Sequence, residues 1–200
     1  MGINVIEQLN EEQFFEYKIP GFINDDNKFG NSSRDYEILQ VLGGGGFSTV
    51  LKVKSKINSR IYAMKKVDMQ KILLVQQLDQ KYFDNEVQIL LRLSHPNIIK
   101  CFRIFREYPF LYFIMEFMNN GDLDSFYMAN NTLKLRIPEE KLWDIYFKCL
   151  SGLRKIHKQG LIHRDIKLQN LFIDDNLNIK IGDFSIYLVF SDFNFYKFFY

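Results

Sequence analysis

Apolar and polar residues alternate with a period of two in several short runs of the first half of the chain. This alternation is typical of β-strands, and glycine or Asn-Ser pairs mark the turns between them. Apolar residues also recur at helical spacing over residues 79–93. The pattern predicts an antiparallel sheet with one helix, in the order β-β-β-α-β-β. The predicted strands are residues 36–42, 49–53, 61–65, 98–106 and 110–117.

The second half of the chain begins with a predicted helix over residues 138–158. Pro138 and two glutamates form its first turn, and basic residues precede Gly160 at its end. These are the charges that the helix dipole favours at each terminus. The helix carries a stripe of large apolar residues, Trp143, Tyr146, Phe147, Leu150 and Leu153. It is followed by a polar loop and two short strands, at residues 163–170, 171–173 and 179–181.

Composition indicates an ordinary globular protein, with 47% hydrophobic and 25% charged residues. The net charge of +2 gives no electrostatic reason to expect a nucleic-acid or membrane partner. No stretch reaches the roughly 18 apolar residues of a membrane-spanning helix, and acidic residues near the N-terminus argue against a signal peptide. The chain has two cysteines and no CxxC pair, which favours a reducing, cytoplasmic (intracellular) location.

The glycine run Gly43–Gly46 lies between the first two predicted strands. An isolated run of this kind is most often a flexible turn. Here Gly43 and Gly45 precede the small residue Ser48 and then Val50 in the returning strand, which is the pattern of a hairpin that covers phosphate groups. Glycine lets backbone N–H groups approach a phosphate without a Cβ in the way.

Two charged residues downstream complete a predicted phosphate clamp. Lys65 ends the sequence Tyr-Ala-Met-Lys in the third strand. An exposed lysine is usually only solvated, but this setting has the form of the strand lysine that pairs with α- and β-phosphate oxygens. Glu86, in the predicted helix, supplies the glutamate that such a lysine contacts.

The most specific chemistry in the sequence lies in His-Arg-Asp-Ile-Lys-Leu-Gln-Asn at residues 163–170. Asp165 is suited to orient a substrate hydroxyl and accept its proton, and Lys167 to neutralise charge on the transferred phosphoryl group. Asn170 and Asp183 supply amide and carboxylate oxygens for a magnesium ion. Because phosphoryl transfer depends mainly on positioning and charge neutralisation, this set of residues predicts that reaction.

With these motifs in this order, residues 36–185 resemble a eukaryotic serine/threonine protein kinase. The resemblance implies an α+β fold, with a small antiparallel N-terminal lobe over residues 36–117 and the first part of a helical C-terminal lobe over residues 118–185. It also implies ATP and Mg²⁺ as cofactors and a protein substrate, whose serine or threonine hydroxyl is indicated by Lys167. Details of the motifs look most like NIMA-related or autophagy-initiating kinases.

The same resemblance implies how the nucleotide is held. Met115 would be the gatekeeper residue, and residues 116–118 the hinge that hydrogen-bonds adenine. Val50, Ala63 and Phe172 would enclose the adenine ring, with ordinary core packing as the alternative role for all three. The implied nucleotide-binding residues are Leu42, Gly43, Gly45, Val50, Ala63, Lys65, Glu86, Met115, Glu116, Met118 and Phe172.

Parts of the sequence depart from the kinase pattern. Ser185 follows Asp183-Phe184 where kinases carry a glycine. Residues 186–200 include eight aromatic residues and no Ala-Pro-Glu motif. We interpret this aromatic tail as translated noncoding sequence, from an unspliced intron or a premature stop, and expect a C-terminally truncated kinase domain. Residues 1–35 show no sustained period and are interpreted as an N-terminal extension.

Two functions are consistent with this pattern. The first is a serine/threonine kinase that moves the γ-phosphate of ATP to a protein hydroxyl. The second is a non-catalytic pseudokinase fragment that binds a nucleotide or a partner, because a truncated lobe would leave the apolar stripe of the 138–158 helix exposed. The sequence gives no indication of the protein substrate or of the oligomeric state.

Overall fold

The structure is a computed structural model that describes residues 29–71, 90–132, 138–174 and 176–182. The strands and helices whose full extent falls within these described ranges are five strands, two helices and two further short strands. In chain order these are β1 (Tyr36–Gly44), β2 (Ser48–Ser55), β3 (Ile61–Asp68), β4 (Cys101–Glu107), β5 (Phe110–Glu116), α1 (Leu123–Thr132), α2 (Glu139–Lys158), β6 (Leu171–Ile173) and β7 (Ile179–Ile181). Single 3₁₀ turns precede β1 and β6, at Ser33–Asp35 and Leu168–Asn170.

Strands β1 to β5 form one antiparallel sheet in the order β1-β2-β3-β5-β4, and β6 and β7 form a separate hairpin. The predicted α+β class, with a small antiparallel lobe and the start of a helical lobe, is confirmed. Of the helix predicted at 79–93, residues 90–92 are helical and residues 79–89 lie outside the described residues.

The strand predicted at residues 98–106 is wrong at its start, because β4 begins only at Cys101. Ile98 instead forms an isolated parallel bridge with Ile181, and the Ile99 N–H donates to the Ile181 carbonyl at 2.8 Å. The backbone of residues 98–99 is thus paired with the small hairpin, and these residues join the two parts of the fold.

Side chains alternate between the two faces of the five-stranded sheet. On the outer face, the ring of Phe105 stacks on Tyr36 and Tyr112, with centroids 6.3 and 5.0 Å apart. The inner face carries a core of buried residues, Val67, Met69, Leu90, Ile104, Leu111 and Phe113. Because Ala63 and Lys65 share the parity of Val67 along β3, they lie on this inner face as well.

Residues 29–35 pack on the sheet before β1 begins. The Phe29 ring stacks on Phe102 with centroids 5.3 Å apart. The Glu107 carboxylate accepts hydrogen bonds from the Ser32 hydroxyl at 2.7 Å and the Ser33 N–H at 2.8 Å. This part of the predicted N-terminal extension is therefore attached to β4, and residues 1–28 lie outside the described residues.

Replacing Glu107 with glutamine is expected to lower thermal stability at neutral pH and to have less effect in acid. Burial alone would raise the pKa of Glu107, but the hydrogen bonds from Ser33 and Ser32 more than offset it and hold the pKa below its usual value. A carboxyl group with a lowered pKa in the folded state stabilises the fold above its unfolded-state pKa, and this contribution is lost as pH falls through the folded-state pKa.

The measurement is a series of thermal melts of both proteins from neutral pH to below about pH 4, the usual range of a glutamate pKa. The difference in Tm between wild type and Glu107→Gln should narrow as the pH falls. A difference that is constant across the series would show that the Glu107 charge does not stabilise this contact.

Helix α2 has the predicted charges at its ends, and Gly160 follows it with a φ of +75°, which favours glycine. The buried face of the helix consists of Gly152 and Ile156, with Ile145, Cys149 and Leu153 partly buried beside them. Of these five residues, Leu153 belongs to the predicted stripe and the others do not. The rest of the predicted stripe is exposed, as was expected from the sequence, at 53% for Trp143 and 62% for Phe147. The large aromatic residues of this helix therefore pack on one another and not on the core.

Helix α1 was not predicted from the sequence. Its polar residues give only a weak apolar period, so no helical pattern stands out over residues 123–132. The helix start is set by Asp122, whose side chain accepts the Ser125 N–H at 2.8 Å. Among the described residues, no helix has both the length and the apolar character needed to span a membrane.

Candidate active site

A cleft of about 970 Å³ lies between the inner face of the sheet and the β6–β7 hairpin. This is at the upper end of the range for small-molecule sites, which is roughly 300–1,000 Å³. The lining includes most of the residues predicted to bind nucleotide, namely Leu42, Gly43, Gly45, Val50, Ala63, Lys65, Met115, Glu116, Met118 and Phe172. Lys167 and Asn170 also line it, so one cavity connects the predicted nucleotide site to the predicted catalytic loop at residues 163–170.

The glycine-rich turn forms one edge of the cleft. Strand β1 continues to Gly44, and the Gly45 N–H donates to the Ser48 carbonyl at 2.8 Å to close the turn. A Cβ added at Gly44 would lie 2.9 Å from the Ser48 carbonyl oxygen, whereas one added at Gly43 or Gly45 would meet nothing within 4 Å. Packing within the turn therefore explains why residue 44 is a glycine. It does not explain Gly43 and Gly45, where the open space is available to a ligand.

The roof of the cleft is the middle of β3 with its neighbours. Lys65 pairs with Val50 of β2 and with Phe113 of β5, and it is buried. The prediction placed Lys65 at the end of its strand, but β3 continues to Asp68. Lys66 points to the opposite face, where its Nζ lies 3.7 Å from the Phe110 ring centroid. Lys65 therefore faces the cleft, whereas its neighbour Lys66 lies on the other side of the sheet.

The hinge follows β5, which ends at Glu116. The Glu116 N–H donates to the Lys100 carbonyl at 2.9 Å, and the Met118 carbonyl accepts from Gly121 at 3.2 Å. Met115 pairs with Ala63 and is partly buried on the inner face, at the position expected of a gatekeeper residue. Phe172, on β6, lies on the other side of the cleft and is fixed by a bridge to Asp122.

The predicted catalytic loop brings three predicted site residues into contact. The Lys167 Nζ lies 2.7 Å from the Asp165 Oδ2. The Asn170 Nδ2 donates to the backbone carbonyl of Asp165 at 2.7 Å and to its Oδ2 at 2.9 Å. Arg164 has a φ of +65°, an unusual value for a residue with a side chain, and it turns the backbone just before Asp165. The buried ring of His163 holds the loop to the Gly182 carbonyl at 2.9 Å.

These contacts set the ionisation of Asp165. The hydrogen bond from Lys167 lowers the pKa of Asp165 below its usual value, and the contact with Asn170 adds to that effect. The carboxyl group is therefore ionised at neutral pH and accepts hydrogen bonds without donating. Its side chain and that of Lys167 are 41% and 49% exposed, so the pair itself adds little to stability.

Two predicted site residues, Glu86 and Asp183, lie outside the described residues. For the metal site, the contacts of Asn170 are informative. The Asn170 Nδ2 donates a hydrogen bond to Asp165, and the side chain is buried beside the cleft. Oδ1 is therefore the atom of this amide that is suited to bind a cation. An amide oxygen next to an ionised carboxylate is a donor set that fits Mg²⁺.

Sequence reasoning missed several residues that shape the site. Asn97 donates its Nδ2 to the Ile179 carbonyl at 3.0 Å and so supports β7 from behind. Lys180 contacts the hinge through Glu116, at 2.6 Å. Gln169, which lines the cleft, donates to Asp124 of α1 at 2.9 Å. Residues that act through contacts distant in sequence leave no local pattern by which to recognise them.

Comparison with protein families gives one match over most of the chain. The family described as the protein kinase domain matches residues 36–194. Among curated proteins, the serine/threonine-protein kinase cds1 of Schizosaccharomyces pombe is 35% identical over 163 residues, which cover 80% of this chain and 34% of that protein. The probable serine/threonine-protein kinase nek2 of Dictyostelium discoideum is 38% identical over 156 residues, covering 76% of this chain and 37% of that protein.

A solved structure agrees with these matches. The crystal structure of Rad53 1-466 in complex with AMP-PNP superposes with a TM-score of 0.66 at 29% identity, covering 76% of this chain and 38% of that chain. The chain spans about a third of the length of the first two curated relatives. Because the relatives have several different names, the comparisons do not select one subfamily.

Proposed function

This chain belongs to the protein kinase family, and from that premise we propose that it transfers the γ-phosphate of ATP to serine or threonine hydroxyls of proteins. One observation carries the proposal: Asp165, Lys167 and Asn170 contact one another beside a cleft that also contains Lys65 and the glycine-rich turn. The relatives are named as kinases, and none of the described contacts favours the non-catalytic alternative.

The cleft offers each part of ATP a suitable surface. Adenine would lie between Val50 and Ala63 above and Phe172 below, with its polar edge toward the hinge backbone. The phosphates would extend under the glycine-rich turn toward the Lys65 ammonium group. Because Lys65 is buried, its charge is screened less by solvent, and it would attract the α- and β-phosphates more strongly than a surface lysine.

The substrate hydroxyl would bind at Asp165. A carboxylate with a lowered pKa is a weak base, so its first role is to hold the hydroxyl in line with the γ-phosphorus and to accept the proton late in the transfer. This fits a loose transition state, in which the nucleophile needs little activation. Lys167, which is 2.7 Å from Asp165, would then neutralise charge on the phosphoryl oxygens as the phosphoryl group moves.

The chemistry that a bound Mg²⁺ would supply is neutralisation of the negative charge on the phosphate groups. Asn170, through Oδ1, and Asp183 are the residues that we propose to hold it. The predicted serine/threonine preference follows from Lys167 and the names of the relatives. An intracellular location stays a prediction from the cysteine content.

Lys65→Met is expected to remove most of the stabilisation that ATP–Mg²⁺ gives to the wild-type chain. At a ligand concentration 100-fold above Kd, binding stabilises a folded protein by about 2.7 kcal/mol. Methionine has an unbranched side chain that is one atom shorter than that of lysine, and it has no charge to attract the phosphates. The measurement is the shift in unfolding midpoint on adding ATP–Mg²⁺ to each protein.

Lys66→Met is the matched control, because it makes the same change one residue away on the face that contacts Phe110. Its ATP–Mg²⁺ shift should equal that of wild type. Equal shifts in all three proteins would contradict the proposed role of Lys65, and no shift in wild type would contradict nucleotide binding itself.

A further inference from the structure

The Glu116 side chain joins three parts of the chain behind the hinge. Its Oε1 accepts a hydrogen bond from the Lys180 Nζ at 2.6 Å, and its Oε2 accepts one from the Lys100 backbone N–H at 3.3 Å. The Glu116 N–H donates to the Lys100 carbonyl at 2.9 Å. One residue therefore connects the end of β5 to the segment before β4 and to β7.

Lys180 is held on a fixed strand. It pairs with Phe172 of β6, and the next residue, Ile181, exchanges backbone hydrogen bonds with Asn97 and Ile99 at 2.9 and 2.8 Å. The Lys180 and Glu116 side chains are only 16% and 28% exposed. A short ion pair between two largely buried side chains is screened less by solvent and salt than a pair on the surface.

We propose that Lys180 is a positioning residue for the nucleotide. Through its ion pair, it fixes the hinge backbone at Glu116 relative to Phe172, so that the adenine ring fits between them. Glu116 and Phe172 both line the cleft, whereas Lys180 is not one of the lining residues, so it acts through Glu116. The inference rests on the proposed function, because it takes the hinge and Phe172 as the adenine site.

The test is calorimetric titration of the 200-residue chain with two probes, adenosine without metal and the β,γ-imido analogue of ATP with Mg²⁺. Lys180→Met should weaken the binding of both probes by about fivefold, the effect of losing a favourable ion pair. Lys180→Arg, which retains the charge, should bind both probes within about twofold of wild type. Glu116→Gln should match Lys180→Met, and the double variant should be no weaker than either single variant, because both remove one interaction.

Lys141→Met is the matched control, because it breaks an ion pair of similar length, 3.0 Å to Asp144 on α2. It should leave both affinities unchanged. A loss confined to the triphosphate analogue would overturn the inference, because Lys180 would then act through its charge on the phosphates. Unchanged affinities in Lys180→Met, with or without a lower Tm, would overturn it as well while leaving the proposed function intact. Failure of wild type to bind either probe would overturn both.

Discussion

Replacing Asp165 with asparagine is expected to reduce the rate of phosphoryl transfer by roughly 10²- to 10⁴-fold, the usual contribution of a positioned acid–base group. Asparagine has nearly the same shape, and its carbonyl oxygen still accepts the hydrogen bond from Asn170. It has no negative charge to receive the proton of the substrate hydroxyl. The loss should therefore appear in kcat, while nucleotide affinity stays near that of wild type.

The measurement combines single-turnover phosphorylation of a serine-containing protein substrate with titration of ATP–Mg²⁺. Asp144→Asn provides the control, because it makes the same substitution on α2, at a half-buried carboxylate that pairs with Lys141 and Lys148. Its transfer rate should match wild type. Transfer by Asp165→Asn within about threefold of wild type, against the loss of at least about 10²-fold expected for such a group, would assign the proton acceptor to another residue.

A second large effect is expected at Gly152, where alanine should destabilise the fold by about 2 kcal/mol. In an exposed helix, the same change stabilises by up to about 1 kcal/mol, since glycine is a poor helix former. At Gly152 an added Cβ would lie 2.8 Å from the Asn97 carbonyl oxygen and 2.8 Å from Ile181 Cδ1. The backbone oxygen cannot move freely, because it accepts the Ile181 N–H at 2.9 Å.

Chemical denaturation of wild type, Gly152→Ala and Ser151→Ala gives the comparison. Ser151 is the preceding residue on the same helix and is exposed, so its replacement should change stability by no more than about 0.5 kcal/mol. An unfolding free energy for Gly152→Ala at or above that of wild type would show that α2 can move away from β7 without cost. The critical result is whether Gly152→Ala lowers or raises the free energy of unfolding.

The two expected effects differ in how far the sequence anticipated them. Asp165 was identified from an eight-residue motif, because the chemistry needs those residue types at fixed short spacing. Gly152 was not identified, because its importance depends on Asn97 and Ile181, which are distant in sequence. The same holds for the pair formed by Glu116 and Lys180, whose partners are separated by 64 residues.

The sequence by itself determined the order and type of most elements, from Tyr36 to Ile181, and the protein kinase family. Strand alternation, turn residues and helix-end charges are local, so they can be recognised in a single chain. The motif at residues 163–170 is local for the same reason, and the structure brings its residues Asp165, Lys167 and Asn170 into contact.

Only the tertiary structure decided which surfaces are buried and which distant residues meet. Gly152 lies against the core because it allows α2 the closest approach to β7, a role that a single glycine in a helical segment does not reveal. Ile98 and Ile99 were predicted to lie in β4, but they are not part of that strand, because their backbone pairs with Ile181 at the edge of β7. Which backbone and side-chain groups pair depends on all the segments that pack together in the fold. The apolar period of one segment carries no information about its distant neighbours.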